Sequence, residues 1–331
     1  MTIAISIPVH EKQYVVIDQI KNIRKYVPNS VIIIHISAEF TDYSVLADYI
    51  YAEDRVYLNP ERLSSRWGRI VDAHISNYKY IKSIEAFDYF MLHASNDMYI
   101  LPGVENYITE YDAGFHIHKI YKPSRWWPGA YALEDPVLKE TIEMISAESV
   151  VATQVEGSYY KNELFGVIVA IIEKAREQVA QRHIPKWSKD YTREEVYFST
   201  IAYKLLQKNE NARIGYPTTY SEVHDFDRML WRRQYITWGI YHRLGLEQFI
   251  NRAYYEQYEK NYTRRLENDN PAALTVGKVE KILSNPASFL RKHSYLNDSV
   301  TKYRLYGDKV FSVKRVPRRI NDPLRRFINS L

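Results

Sequence analysis

Ile3-Ala4-Ile5-Ser6-Ile7-Pro8-Val9-His10, then Gln13–Tyr26, then Val31-Ile32-Ile33-Ile34-His35-Ile36 are the stretches that decide the fold. The first and third are short apolar runs rich in β-branched side chains, which read as buried strands. Between them Val16, Ile20 and Ile23 recur at helical spacing, and Pro28-Asn29 ends the helix. Strand, helix and strand in the first forty residues make a βαβ unit, so a parallel sheet with helices packed on it is the natural inference.

Working outward, Arg55–Leu58 reads as a third strand, Ile70–Ile84 as a helix, and Phe87–His93 as a further strand ending in Ser95-Asn96-Asp97. In open α/β sheets ligands bind beyond the carboxyl ends of the strands. His10 and Asp97 both stand at such ends, which makes them candidates for a nucleotide cleft. Gly114–Pro136 reads as a loop rich in aromatic and basic residues, and Asn162–Gln181 as a long helix. Glu194–Leu206 reads as a helix with Thr192 as its N-cap and two acids in its first turn, where the helix dipole favours them. Met229–Tyr262 reads as helical, Val276–Leu283 as a short helix, and the tail from Tyr303 as a strand followed by a basic loop. The best boundary, Glu267–Ala272, divides residues 1–266 (halves of about 1–112 and 113–266) from a C-terminal segment, 267–331.

The 331 residues are 46% hydrophobic and 26% charged, which is ordinary for a globular protein. The absence of cysteine excludes disulfides and thiolate metal sites and favours an intracellular setting. There is no run suited to a signal peptide or a membrane span, so a soluble, cytoplasmic protein is expected. A net charge of +5 with no nucleic-acid-binding motif argues against a nucleic-acid partner. Lys314, Arg315, Arg318, Arg319, Arg325 and Arg326 nevertheless cluster near the C-terminus. They form either a solvated tail or an attraction for anionic lipid or a phosphate-bearing ligand. The 30 tyrosines suit stacking on sugar rings, but equally suit half-buried packing.

Ordered blocks then carry a resemblance. They are Ile7-Pro8-Val9-His10; Val31–Ser37; Trp67-Gly68-Arg69-Ile70-Val71-Asp72-Ala73; Phe87–Leu92 with Ser95-Asn96-Asp97; and Glu156-Gly157-Ser158-Tyr159-Tyr160. Tyr191–Thr200, Arg233–Trp238 and Asn270–Lys292 follow in order. Together the chain resembles the core-2/I-branching β-1,6-N-acetylglucosaminyltransferases and the related peptide xylosyltransferases. Departures from the pattern include Ser37 where the family has an acid and Arg193 where it has proline.

The resemblance implies an α/β GT-A-like glycosyltransferase fold, with an N-terminal Rossmann-like, mostly parallel sheet and helical C-terminal additions. It implies inverting transfer from a UDP-sugar, N-acetylglucosamine or xylose, to a saccharide hydroxyl, with no divalent metal and no other cofactor. By residue, it implies Glu195 as catalytic base, with Glu194 as the fallback. His10, Arg69, Asp97, Arg291 and Lys292 fall on the nucleotide-sugar side, and Ser158, Tyr160, Trp238 and Trp126 on the acceptor side. Lys314-Arg315 is a rival contact for the diphosphate, and Arg264 and Arg265 are candidates for a second cation.

Two other readings stay open. One is a metal-dependent GT-A transferase using Asp97 or the Asp-x-Asp string Asp225-Phe226-Asp227, of the kind that holds a divalent metal in other nucleotide-sugar transferases, and the other is a non-catalytic carbohydrate- or phosphate-binding protein. The expected setting is bacterial surface-polysaccharide synthesis, with a saccharide or lipid-linked oligosaccharide acceptor and the basic tail at the inner membrane.

Overall fold

The structure is a computed structural model. It describes residues 1–10, 12–65, 68–122, 124, 126–184, 190–221, 240–246, 249, 253, 256, 274–293, 295–298 and 301–331. The side chains of residues 127, 291–293, 295–298 and 301–303 fall outside that description.

The main sheet has seven strands in the order β10-β6-β9-β4-β1-β2-β3. Its first half comprises β1 (Ile3–Val9), β2 (Val31–Ile36), β3 (Val56–Leu58) and β4 (Tyr89–Leu92). These four pair in parallel, with β1 between β2 and β4. Three helices connect them: α1 (Gln13–Tyr26), α2 (Ser44–Ala52) and α3 (Ile70–Lys82). Beyond β4, β9 (Tyr159–Lys161) runs antiparallel to both β4 and β6 (Ala113–Gly114), and β10 (Ile214–Gly215) pairs in parallel with β6.

The period-2 alternation of strand side chains divides the core between the two faces. Ile3, Ile5, Ile7 and Val9 of β1 pack with Val16, Ile20 and Ile23 of α1 and with Leu46 and Ile50 of α2. Each such fully buried aliphatic side chain contributes roughly 1.5–3 kcal/mol relative to exposure. Ala4, Val31 and Ile33 face the opposite way, towards Val71, Ile75 and Ile81 of α3. On that face Ser6, His74, Asn77 and Asn59 make a buried polar seam: Ser6 Oγ to His74 Nδ1 at 2.8 Å, and Asn77 to Ser6 Oγ at 3.0 Å. Asn59 donates to Asn77 Oδ1 at 2.9 Å. Burial holds the His74 imidazole down at about 3, so this seam is neutral.

The crossovers of α1 and α2 lie on one face and that of α3 on the other, so the order 3-2-1-4 reverses direction between β1 and β4. Crevices at such a reversal, outside the carboxyl ends of the strands, are where open α/β sheets bind ligands. His10 follows β1 and the loop 93–97 follows β4.

Of the remaining helices, α4 (Val104–Ile108), α5 (Trp127–Ala132) and α6 (Pro136–Ile145) precede β8 (Val150–Ala152). Next come α7 (Asn162–Gln181) and α8 (Tyr197–Gln207), and β7 (His118–Ile120) pairs antiparallel with β8. A second, three-stranded sheet sets β14 (Ser312–Val313) between β11 (Thr219–Tyr220) and β5 (Met98–Tyr99). Around it α9 (Val276–Ser284), α10 (Pro286–His293) and α11 (Pro323–Ser330) share a third core of Met98, Ile282, Leu290, Val313, Leu324 and Ile328. The hairpin of β12 (Tyr295–Asp298) and β13 (Thr301–Arg304) stands apart from both sheets. Among the described residues no helix is long and apolar enough to cross a membrane.

Three sequence readings are corrected. Gly114–Pro136 is not all loop, because it contains β7 and α5. Glu194–Leu206 is not one helix: a single 3-10 turn, Arg193–Glu195, breaks at Val196 before α8 begins. The break lets the Glu195 carbonyl accept from Thr153 N at 2.7 Å, and the Thr192 hydroxyl donates to Glu195 Oε2 instead of capping the helix. The basic tail is not all loop either. Asp322 caps α11 by accepting from Leu324 N at 2.8 Å, and Pro323 occupies the first turn. Arg325 in that helix is 0% exposed and therefore unavailable to lipid.

Candidate active site

Four chain segments bring ionisable side chains together past the carboxyl end of β4. The first is the 93–97 loop. Asp97 Oδ2 accepts from Ala94 N at 2.9 Å and lies 3.2 Å from His93 Nδ1, while Oδ1 is buried without a hydrogen-bond partner. Burial is the main influence on the Asp97 carboxyl and raises its pKa against the opposing pull of His93.

The second segment is Glu156-Gly157. Gly157 sits at φ +76°, and a Cβ there would lie 2.3 Å from Thr219 Oγ1 and 2.4 Å from Thr219 N. Only glycine permits this approach, in which Gly157 N donates to Leu92 O and Thr218 N donates back to Gly157 O. The turn presents the buried Glu156 carboxylate to the third segment, the residues after β14, where Lys314 Nζ meets Glu156 Oε1 at 2.5 Å. Burial alone would raise the pKa of Glu156, but the charge and hydrogen bond of Lys314 outweigh it and hold the carboxyl below its ordinary value. Arg315, beside Lys314, has a left-handed backbone at φ +68°. For a side chain of this size that conformation costs about 1–2 kcal/mol and persists only where the surroundings enforce it.

The fourth segment is the 3-10 turn. Glu194 is 3% exposed, whereas Glu195 is partly exposed. Burial, then the Glu156 charge, push the Glu195 carboxyl up to about 7, against Lys314, the Thr192 hydroxyl and Arg315. Burial and Glu195 push Glu194 up to about 8. The turn itself is fixed from below. Arg193 Nε lies 3.2 Å from Asp135 Oδ2, and Arg193 Nη1 donates to Gly68 O at 2.8 Å. Tyr191 adds a hydrogen bond to the same Asp135 oxygen at 2.8 Å. Arginine thus stands at 193 because its fork spans two anchors.

A carboxyl pushed up to about 7, on a residue partly open to solvent and within reach of two cations, can accept a proton near neutral pH and has positive charge at hand for an anion. Glu194 and Glu195 also make a prediction about stability. Both folded pKa values stand above the ordinary 4.5, so the folded chain retains protons that the unfolded chain releases. Their contribution is fully present below about pH 4.5 and is lost as pH rises through 7–8. Urea titrations are expected to show the native protein losing about 5–6 kcal/mol between pH 5 and 8 and Glu194→Gln losing clearly less. Parallel pH dependence in the two proteins would show Glu194 ionised as in water.

The other candidates fall in several places. His10 follows β1 and is half-buried, and Arg69 precedes α3 with its guanidinium 3.9 Å from Asp190. Asp72 pairs with Arg176 at 2.5 Å. Tyr160 is 0% exposed and stacks on Phe115 at 5.9 Å, so it is core and offers no face to an acceptor. Ser158 is equally buried, with its hydroxyl donated to Val155 O. Trp126 is partly exposed, 6.1 Å from the His118 ring. Trp238, Asp225, Asp227, Arg264 and Arg265 lie outside the described residues, as do the side chains of Arg291 and Lys292. Glu156 opens the block Glu156–Tyr160 but has no role assigned to it from sequence. Among the described residues no group of three or more potential metal ligands is arranged around a common point. Comparison with protein-family models gives no match, and comparison with curated proteins gives none either.

Proposed function

We propose that the chain is an inverting nucleotide-sugar transferase of GT-A-like fold, with Glu195 as the base and Lys314 and Arg315 as the counter-charge to the departing diphosphate. The observation that carries this reading is the position of Glu195. Glu195 is partly exposed as a residue, burial and the Glu156 charge push its carboxyl up to about 7, and it lies within the electrostatic reach of Lys314 and Arg315. The sheet reversal between β1 and β4, with the Asp97 loop at its mouth, supports a nucleotide in the adjoining crevice.

In the reaction the acceptor hydroxyl oxygen attacks the anomeric carbon. Its proton passes to the Glu195 carboxylate, and the bond to the diphosphate oxygen breaks with its electron pair staying on the diphosphate. One displacement inverts the anomeric centre. Fixed cations beside the leaving group stabilise the charge that develops on the diphosphate as the bond breaks. The resemblance gives the diphosphate role to Lys292 with Arg291. Lys314 and Arg315 are the cations described beside Glu195, and the proposal rests on them.

The test is a thermal-shift and donor-hydrolysis screen against nucleotide sugars, with and without EDTA. Stabilisation and turnover with one UDP-sugar, unchanged by EDTA, is the expected result. Loss of turnover in EDTA would replace the metal-free reading with a metal-dependent one, and no response to any nucleotide sugar would remove the transferase. Lys314→Ala is expected to weaken UDP binding about 10–100-fold by calorimetry, the size of a charge-assisted contact of about 1.5–3 kcal/mol.

A further inference from the structure

One helix, α1, makes hydrogen bonds to both sides of the site. On α1, Gln19 Nε2 donates to Ala94 O at 2.7 Å, inside the loop that carries Asp97. One turn on, Asn22 exchanges two hydrogen bonds with the Tyr99 backbone of β5, at 3.0 and 2.6 Å. Next to Gln19, Asp18 receives the guanidinium of Arg325 from α11, more than three hundred positions away in the chain. Arg325 Nε donates in turn to Pro317 O at 3.1 Å, two residues beyond Arg315. Asn329 adds a bond to Asp18 Oδ1 at 2.9 Å, and Lys25 reaches Asn329 O at 3.3 Å.

The Lys314–Pro317 turn is therefore pinned at four places. Lys314 N donates to Tyr220 O at 2.8 Å, and Lys314 Nζ pairs with Glu156. Asn96 Nδ2 donates to Val316 O at 3.2 Å, and Arg325 holds Pro317 O. Arg315, the residue with the left-handed backbone, lies inside these pins. The first is a bond to β11 of the second sheet, and the second and third join segments of the site. The fourth is the remote one, and it is a buried arginine whose planar fork joins a carboxylate to a backbone carbonyl in a way lysine cannot copy.

We infer that the Asp18–Arg325 pair is a latch that positions the Lys314–Arg315 cations for a nucleoside diphosphate, so that Asp18 and Arg325 are positioning residues acting through the 314–317 turn. This rests on the diphosphate role given above to those cations. It predicts that affinity for the diphosphate depends on a pair that does not touch it. Asp18→Asn keeps shape and removes charge, and Arg325→Lys keeps charge and removes the fork.

The experiment measures UDP and inorganic pyrophosphate binding by calorimetry for the native chain and both variants. Amide hydrogen exchange is followed over 312–317 and over β1–β4, with folding checked by melting temperature. Expected are variants that remain folded, bind UDP about tenfold more weakly, and exchange faster in 312–317 while β1–β4 stays protected. A merely structural ion pair would lower the melting temperature and loosen both regions together, with the affinity of the folded protein unchanged; that result overturns the latch. If the native chain binds neither probe, the diphosphate reading fails and exchange alone decides the latch. Faster exchange confined to 312–317 supports it as a device of the fold, and unchanged exchange there overturns it.

Discussion

Glu195→Gln is expected to lower sugar transfer about 10²–10⁴-fold, the usual contribution of a positioned general base, while UDP affinity stays within a factor of a few. Glutamine fills the same space and still accepts from the Thr192 hydroxyl, which donates to Glu195 Oε2 at 2.9 Å, but it cannot take a proton. The base must be ionised to act, so native turnover should rise with pH through about 7 and level off above it. That limb should be missing from whatever activity Glu195→Gln retains. Steady-state kinetics between pH 5.5 and 9, on the donor found by the screen, measure both effects. A variant that keeps its rate within tenfold and its pH limb would transfer the role away from Glu195. If only the rate falls and the limb stays, another titrating group sets the profile, and Glu194 is the next to replace.

Gly157→Ala is expected to destabilise the fold by about 3 kcal/mol and to weaken UDP binding as well. A left-handed backbone costs a residue with a Cβ about 1–2 kcal/mol, and forcing a methyl group into a filled space adds about 1–3 kcal/mol. The space is filled by Thr219, whose backbone nitrogen lies 2.4 Å from where the Cβ would be. Backbone cannot rotate aside as a side chain can. Relief therefore has to come from moving the turn, and Glu156 moves with it away from Lys314. Denaturant unfolding gives the first quantity and calorimetry the second. An alanine variant with native stability would mean that Thr218–Thr219 yields easily, and Glu156 would then not be held by close approach.

In the first half of the chain β1, α1, β2, α3 and β4 were legible because each keeps one period along its length, whereas α2 (Ser44–Ala52) was not read. Ile3–Val9 alternates between two covered faces, and Val16, Ile20 and Ile23 keep to one side of a helix. Short elements carried no such signal. A three-residue strand such as His118–Ile120 has no period to detect, and α11 was masked by its arginines although Asp322-Pro323 marks its start. At the site, Asp97 was legible from its place at a strand end and Glu195 from its block. The Glu156–Lys314 pair joins residues 158 positions apart, and nothing local in either stretch announces the other. Tyr160 misled for the opposite reason: an aromatic residue near a cleft reads the same whether its ring faces ligand or Phe115.

The insertion of β14 between β5 and β11 has a consequence for biogenesis. Asn96 and Val316 bond across 220 positions, so at a synthesis rate of about 5–20 residues per second β14 leaves the ribosome roughly 10–40 s after the strand it must join. During that interval the βαβ half can fold on local contacts, but β5 has an open edge and the acidic cluster has no cations. The two-residue length of β5 limits what a foreign strand could pair with there. Completion of the three-stranded sheet and arrival of Lys314 and Arg315 beside Glu156 and Glu195 are therefore the same event.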